Sequence, residues 1–295
     1  ADSFETAKAG YSDISTALKL LATYANEDNA SVWDIIASNI GEIRRVMDDE
    51  RVRDDIKPLI LKLTANQLKR LGWDEKKSDS YFDRLLRPMI LGLASSADEP
   101  SVVKEAISRF TAAKKSEDTP ADLRGVVYST AVRHGDIKTF EKLLKFHEST
   151  NSSDERMTIA VALSCFEQPA LYQKTLALIM SDTVRHQDVM TWLAYSLGNR
   201  FAKNETWAWL QKNWDWLDKN LGNDLGFART PIYTARSFSD KVFLKEFKEF
   251  FTARTTPGLD RSIEQGLEML KFQIGWKQRD LKTIQEFLRD SSGEK

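Results

Sequence analysis

Apolar residues recur at spacings of three and four almost from end to end of this chain, and that period constrains the fold more than any other feature. Ile14, Leu18, Leu21 and Ala25 form one stripe near the start. Ile263, Leu267, Leu270 and Ile274 form another near the end, followed by Leu281, Ile284 and Leu288. No run of strict alternation with β-branched residues interrupts the pattern, so the chain reads as all-α without strands. The stops between stripes are those of short helix connections. Asp98-Glu99-Pro100-Ser101, Asp118-Thr119-Pro120-Ala121 and Thr255-Thr256-Pro257-Gly258 combine polar caps with a turn-making or helix-starting proline. His134-Gly135-Asp136 reads as a C′ glycine followed by the next helix's cap, and Ser152 with Glu155 three residues on reads as a capping box. Pro58 and Pro88 fall inside helical stretches and read as first turns or kinks.

These stops predict roughly fourteen to sixteen helices of about 10–20 residues joined by short loops. Consecutive short-looped helices pack as antiparallel pairs, and stacked pairs make a superhelical solenoid of the HEAT or armadillo kind. No fixed sequence period exists, so the repeat would be irregular. Residues 1–295 are then expected to form one elongated domain, whose concave face would carry its function.

Composition narrows the function classes. The formal net charge is −1, with 43 Lys and Arg scattered among 44 Asp and Glu. Such a balance leaves no basic patch for nucleic acid or an anionic membrane surface. No apolar stretch approaches the length of a membrane span, and no segment reads as a signal peptide. A single cysteine, Cys165, allows neither an internal disulfide nor a multi-cysteine metal site and fits a cytoplasmic location. The chain opens Ala1-Asp2-Ser3-Phe4 without a Met, which reads as an excised fragment or processed product.

Chemistry-bearing motifs are missing. A zinc-binding helix needs His at i and i+4 with Glu at i+1, but His147-Glu148 is followed by Asn151 at the fourth position. His134 and His186 have no partner at ligand spacing, so all three histidines read as structural or surface groups. The 13 glycines form no phosphate loop, and no nucleophile elbow occurs. Cys165, beside Ala162, Leu163 and Phe166, is expected to be a buried, inert thiol. Asp48-Asp49-Glu50 and Asp54-Asp55, interleaved with Arg51 and Arg53, read as a salt-bridged helix junction rather than a cation site. Trp207, Leu210, Trp214 and Leu217 share one helical stripe, and Trp209 with Trp216 share another, which predicts a helix sandwiched in the core. The chain's own residues therefore describe a helical binding or scaffolding module with no catalytic and no metal-ligating residue.

A series of local strings narrows this further. It begins with Asp2-x-Phe4-x-x-Ala7-x-Ala9-Gly10-Tyr11, Ala17-Leu18, Leu20-Leu21-x-x-Tyr24, Val32-Trp33 and Leu71-Gly72-Trp73. It continues through Leu85-Leu86-Arg87-Pro88-Met89-Ile90-Leu91-Gly92-Leu93-Ala94, Val102-Val103-x-Glu105-Ala106-x-x-x-Phe110 and Asp122-Leu123-Arg124-Gly125-Val126-Val127-Tyr128. His134-Gly135, Asp154-Glu155-Arg156, Ala162-Leu163, Arg185-His186-Gln187-Asp188, Trp207 to Asn213-Trp214, Phe250-Phe251 and Ile274-Gly275-Trp276 complete it. In this order the strings resemble the C-terminal helical domain of the M1 zinc aminopeptidases, nearest the puromycin-sensitive and endoplasmic-reticulum branch. The resemblance implies that the zinc, its H-E-x-x-H…E ligands and the G-x-M-E-N segment lie in a preceding catalytic domain absent from this chain. It implies a bowl over that domain which encloses the active-site cavity and binds the peptide substrate. By ungapped alignment from Trp33, Arg44 falls where relatives place a basic residue for the peptide's C-terminal carboxylate. Arg44 is also placed to pair with Asp48 at i+4. Arg229 lies near a segment where relatives use a cavity-facing Arg. Where some carry a further Arg, this chain has Cys165. The rival reading is a free-standing helical-repeat scaffold for a protein partner.

Overall fold

In the computed structural model, which describes residues 2–292, every regular element is helical and no strand occurs among those residues. The helices are α1 (Asp2–Lys8), α2 (Ile14–Leu21), α3 (Ala30–Met47), α4 (Glu50–Leu71), α5 (Tyr81–Ser96), α6 (Pro100–Ala112) and α7 (Ala121–Arg133). There follow α8 (Ile137–Ser149), α9 (Ser153–Leu163), α10 (Pro169–Leu178), α11 (Val189–Gly198), α12 (Lys203–Lys212) and α13 (Trp214–Leu221). The last four are α14 (Leu225–Ala228), α15 (Thr230–Arg236), α16 (Lys241–Thr252) and α17 (Asp260–Ser292). Internal contacts divide the chain into two compact units, residues 1–130 with 275–295, and residues 131–274.

The first unit contains an apolar core shared by α3, α4, α5 and α17. Trp33, Ile36, Ile40 and Ile43 of α3 meet Val52, Ile56, Ile60 and Leu63 of α4, Leu86 and Ile90 of α5, and Trp276, Ile284 and Leu288 of α17. Each set repeats at the helical period, so one stripe of each helix leaves water at once. The indole N–H of Trp33 donates to the Glu27 carbonyl at 2.9 Å, and the Gln67 amide donates to the same oxygen at 2.6 Å. Arg279 of α17 donates from one nitrogen to the carbonyls of Ala7 and Lys8 at 2.8 and 2.9 Å, satisfying the C-terminal end of α1. Gly10, just beyond, has φ +85°, and its place against Arg279 leaves no room for a Cβ.

The second unit has an aromatic core. Trp207 lies edge-on to Phe243 and Phe250, with ring centroids 5.4 and 5.0 Å apart, and Trp214 packs on Phe227 at 5.0 Å. The core reading of this tryptophan stripe therefore holds, since Trp207, Leu210, Trp214 and Leu217 are all buried, while Trp209 and Trp216 are half-buried. The expected continuous helix does not hold. It is divided at Asn213, whose backbone N–H and side-chain amide both donate to the Trp209 carbonyl, at 3.0 and 2.8 Å.

The turn signals behave mostly as expected. Pro100 opens α6 behind a Glu99 cap, Asp136 caps α8 through the N–H groups of Lys138 and Thr139, and Ser152 caps α9 through Glu155. Pro58 and Pro88 lie inside α4 and α5. Gly135 is required by space and not by a left-handed backbone, because a Cβ there would sit 2.5 Å from the Ala131 carbonyl oxygen. Seventeen α-helices occur among the described residues, more than expected, because short pieces such as α14 and α15 carry too few residues to show a period. At the other extreme α17 runs for 33 residues, its stripe unbroken by any proline or cap.

Candidate functional site

Arg44 sits in the last turn of α3, half-buried, where the ends of α3 and α5 meet the start of α4. Its Nη1 donates to the Ser96 hydroxyl at 2.9 Å and its Nη2 to the Ser96 carbonyl at 3.3 Å. The Ser96 hydroxyl passes its own proton to the Leu93 carbonyl at 2.7 Å, so it faces the guanidinium as an acceptor. Arg53 of α4 donates to the Arg44 carbonyl at 3.1 Å and lies 3.9 Å from Asp48. Lys57 bridges Asp54 at 2.8 Å and Asp98 at 3.2 Å. The bond to Asp54, against some loss of water and aided by Asp98, holds the Lys57 ammonium above its usual range. Burial opposes ionisation of Asp49, yet the Gln285 amide and the Val52 N–H outweigh it and keep that carboxyl below its usual range. The acidic run is thus the salt-bridged junction its sequence describes.

Asp48 and Asp98, with φ of 40° and 59°, are the two non-glycine residues with left-handed backbone among the described residues, and both flank this junction. Each lies just past a helix C-terminus, where Asp tolerates that conformation better than most residues. Sequence reasoning placed Arg44 for an i+4 pair with Asp48 and missed Ser96 as its partner, while Asp48 lies 3.9 Å from Arg53. The only available signal was the cap-like Asp98-Glu99-Pro100, which marks a turn but not what the turn faces.

Arg229 lies in the second unit, between α14 and α15, and is exposed. Its backbone N–H donates to the Gly226 carbonyl at 3.1 Å. Its guanidinium has no hydrogen-bond or ion-pair partner among the described residues, so it can take an incoming carboxylate without breaking a bond.

The hollows of the first unit include two of different size. The larger, about 580 Å³, is lined by Leu61, Leu68, Trp73, Pro100 and Val102, with Lys69 at its edge. Trp73 is held under the Arg109 guanidinium, 5.0 Å from its ring, and Arg109 is fixed by Glu105 and Asp74 at 2.8 and 2.9 Å. The smaller, about 310 Å³, is polar and includes Arg70, Ser80 and Asp83. Asp83 closes a capping box with Ser80 and pairs with Arg70. The Ser80 N–H first, with Arg70 assisting against burial, lowers its carboxyl from 3.8 to about 2.

The histidines and the cysteine sit where no metal would be held. His134 and His186 are exposed, whereas His147 is buried edge-on against Trp192. No group of three His, Cys, Asp or Glu side chains able to hold a metal ion occurs among the described residues. Among the described residues, the side chains therefore do not fit a zinc site. Cys165 corrects its expectation: it is exposed, in the turn after α9, with its thiol donating to the Val161 carbonyl at 3.2 Å. The neighbours Ala162, Leu163 and Phe166 are buried, but the helix ends at Leu163 and the turn rotates Cys165 away from them. No helix among the described residues is long and apolar enough to cross a membrane.

With this geometry in place, comparison with known proteins decides the family. The sequence model of the ERAP1-like C-terminal domain matches residues 1–271. The chain belongs to that family. Similar curated proteins include Aminopeptidase 2 of Candida albicans, 28% identical across 98% of this chain, and Aminopeptidase 2, mitochondrial, of Saccharomyces cerevisiae, 27% identical across 96%. Aminopeptidase M1 of Arabidopsis thaliana is 26% identical across 93% of the chain. The chain spans about a third of the length of these relatives, 32%, 30% and 32% respectively. Its ERAP1-like domain is thus one part of proteins whose names are those of aminopeptidases.

Proposed function

We propose that this ERAP1-like domain encloses the active-site cavity of a zinc aminopeptidase and binds the body and C-terminal end of its peptide substrate. The catalytic groups and the metal would belong to a preceding domain of the same polypeptide. One observation carries the reading: the family match covers nearly the whole chain, while the chain accounts for only about a third of relatives named aminopeptidases. Zinc, where bound, would polarise the scissile carbonyl and activate water. This chain's residues would supply binding and orientation. Contacts remote from the cut bond hold the peptide in register, so entropy lost on binding is not lost again at the reacting atoms.

Arg229, exposed and unpaired among the described residues, has the chemistry for a peptide carboxylate. Arg44 would have to share its guanidinium with Ser96, to which it already donates twice. Membership of the puromycin-sensitive branch and a cytoplasmic location belong to the same proposal. The location fits the single cysteine, although one relative is named mitochondrial.

The test uses the whole polypeptide. Arg229→Ala and Arg44→Ala should each raise KM for peptides of eight to ten residues by about 10-fold, the worth of roughly 1.4 kcal/mol. Turnover of a single-residue aminoacyl anilide, too short to reach either arginine, should be unchanged. Equal effects on both substrate lengths, or on neither, would remove these arginines from the binding role.

A further inference from the structure

His147 occupies a position that the pattern of α8 reserves for an apolar residue. Phe140, Leu143 and His147 follow one another at spacings of three and four, and all are buried. The imidazole stands edge-on to Trp192 of α11, centroids 5.5 Å apart with planes at 88°. Both of its nitrogens are buried without a hydrogen-bond partner among the described residues. A neutral imidazole always carries one N–H and one bare nitrogen, so this arrangement already leaves a donor and an acceptor dry. Protonation adds a second dry donor and a full charge.

The surroundings do not receive that charge well. From α9 comes Arg156, whose Nε donates to the Thr150 carbonyl at the end of α8 at 3.0 Å. Before the 3-10 turn His186–Asp188 stands Arg185, and in that turn stands Asp188. The Asp188 carboxylate, which would be the natural acceptor for an imidazolium, already takes the Arg185 Nε at 2.6 Å. From α11 the group in contact is the uncharged Trp192.

We propose that His147 is an acid-operated switch within the second unit, which loosens the packing of α8 against α9 and α11 so that the protonated ring reaches water. Burial first, then the positive charge of Arg156, pulls the ring's affinity for protons below the usual value; Asp188 opposes and Arg185 assists. The sign follows. The open form takes up its proton near pH 6.5, while the closed form does so only at lower pH. The closed form therefore loses ground as pH falls below about 6.5, and stops losing it once its own ring titrates. Between pH 7 and 5 the population of the open form rises by up to about 25-fold.

Hydrogen exchange of the amides of α8, α9 and α11, corrected for intrinsic rates, reads this directly. The wild-type chain should show a rise in opening of about 5- to 25-fold between pH 7 and 5, absent from the first unit. His147→Met and His147→Gln should both flatten it, since neither side chain titrates in that range. A flat wild-type response, or the same rise in either variant, overturns the switch. Should neither variant fold, the wild-type imidazole's own NMR titration decides. A midpoint clearly below 6.5 supports the proposal, and one at or above 6.5 overturns it. The outcome does not depend on the aminopeptidase reading.

Discussion

Glycine-to-alanine substitutions at two points of α17 should move stability in opposite directions, although the residues lie in one uninterrupted helix. Alanine is favoured over glycine inside a helix by about 0.5–1 kcal/mol, because glycine loses more backbone freedom on folding. At Gly275 an added Cβ meets nothing within 4 Å, so that gain should appear in full. At Gly266 the same Cβ would sit 2.6 Å from Cζ of Phe247, 3.2 Å from the Pro231 carbonyl oxygen and 3.3 Å from Cβ of Ala235. Phe247 has no exposure with which to yield, and its ring packs on Phe251 with centroids 4.7 Å apart. Overpacking of this kind costs about 1–3 kcal/mol. Gly266→Ala should therefore destabilise by about 0.5–2 kcal/mol net, and Gly275→Ala should stabilise by about 0.5–1 kcal/mol. Urea unfolding followed by circular dichroism, with the slope shared across variants, measures both. Shifts of the same sign would refute the assignment of Gly266 to a closed contact and Gly275 to an open one.

Two further outcomes follow from the first unit. Trp33→Phe removes the indole bond to Glu27 and leaves a small void in a fully buried site, so it should cost about 2–3 kcal/mol, read as a lowered midpoint of thermal unfolding. Asp83, with its carboxyl held at about 2, contributes stability that is fully present above its unfolded value of 3.8 and is lost as pH falls towards 2. Acid titration of the folded fraction should show this loss in the wild type, and Asp83→Asn should remove that part of the pH dependence; an unchanged acid profile would contradict the capping geometry.

What was legible in the sequence was what a helix decides locally. The stripe of α2 as far as Leu21, that of α17, the Asp136 and Ser152 caps and the Pro100 start depend on residues three or four apart, and each is where it was expected, whereas Ala25 falls beyond α2 in a 3-10 turn. The break at Asn213 was not legible, because the apolar stripe of Trp207, Leu210, Trp214 and Leu217 runs through it unchanged and all four residues stay buried. Cys165 was misplaced because its neighbours in sequence are buried, while its own direction is set by the turn after α9. The tie between Arg44 and Ser96 spans 52 residues and has no local signature. The spacing of the histidines gave no sign that His147 would be buried with both nitrogens dry while His134 and His186 stay exposed.

The central claim is that this ERAP1-like domain serves a zinc aminopeptidase whose catalytic residues lie upstream. Reading the coding DNA immediately before the codon for Ala1 tests it most directly. The account predicts an in-frame H-E-x-x-H with a further Glu downstream and G-x-M-E-N ahead of it. A stop codon followed by a local start would contradict it, leaving a helical module that shares the family's fold without its enzyme.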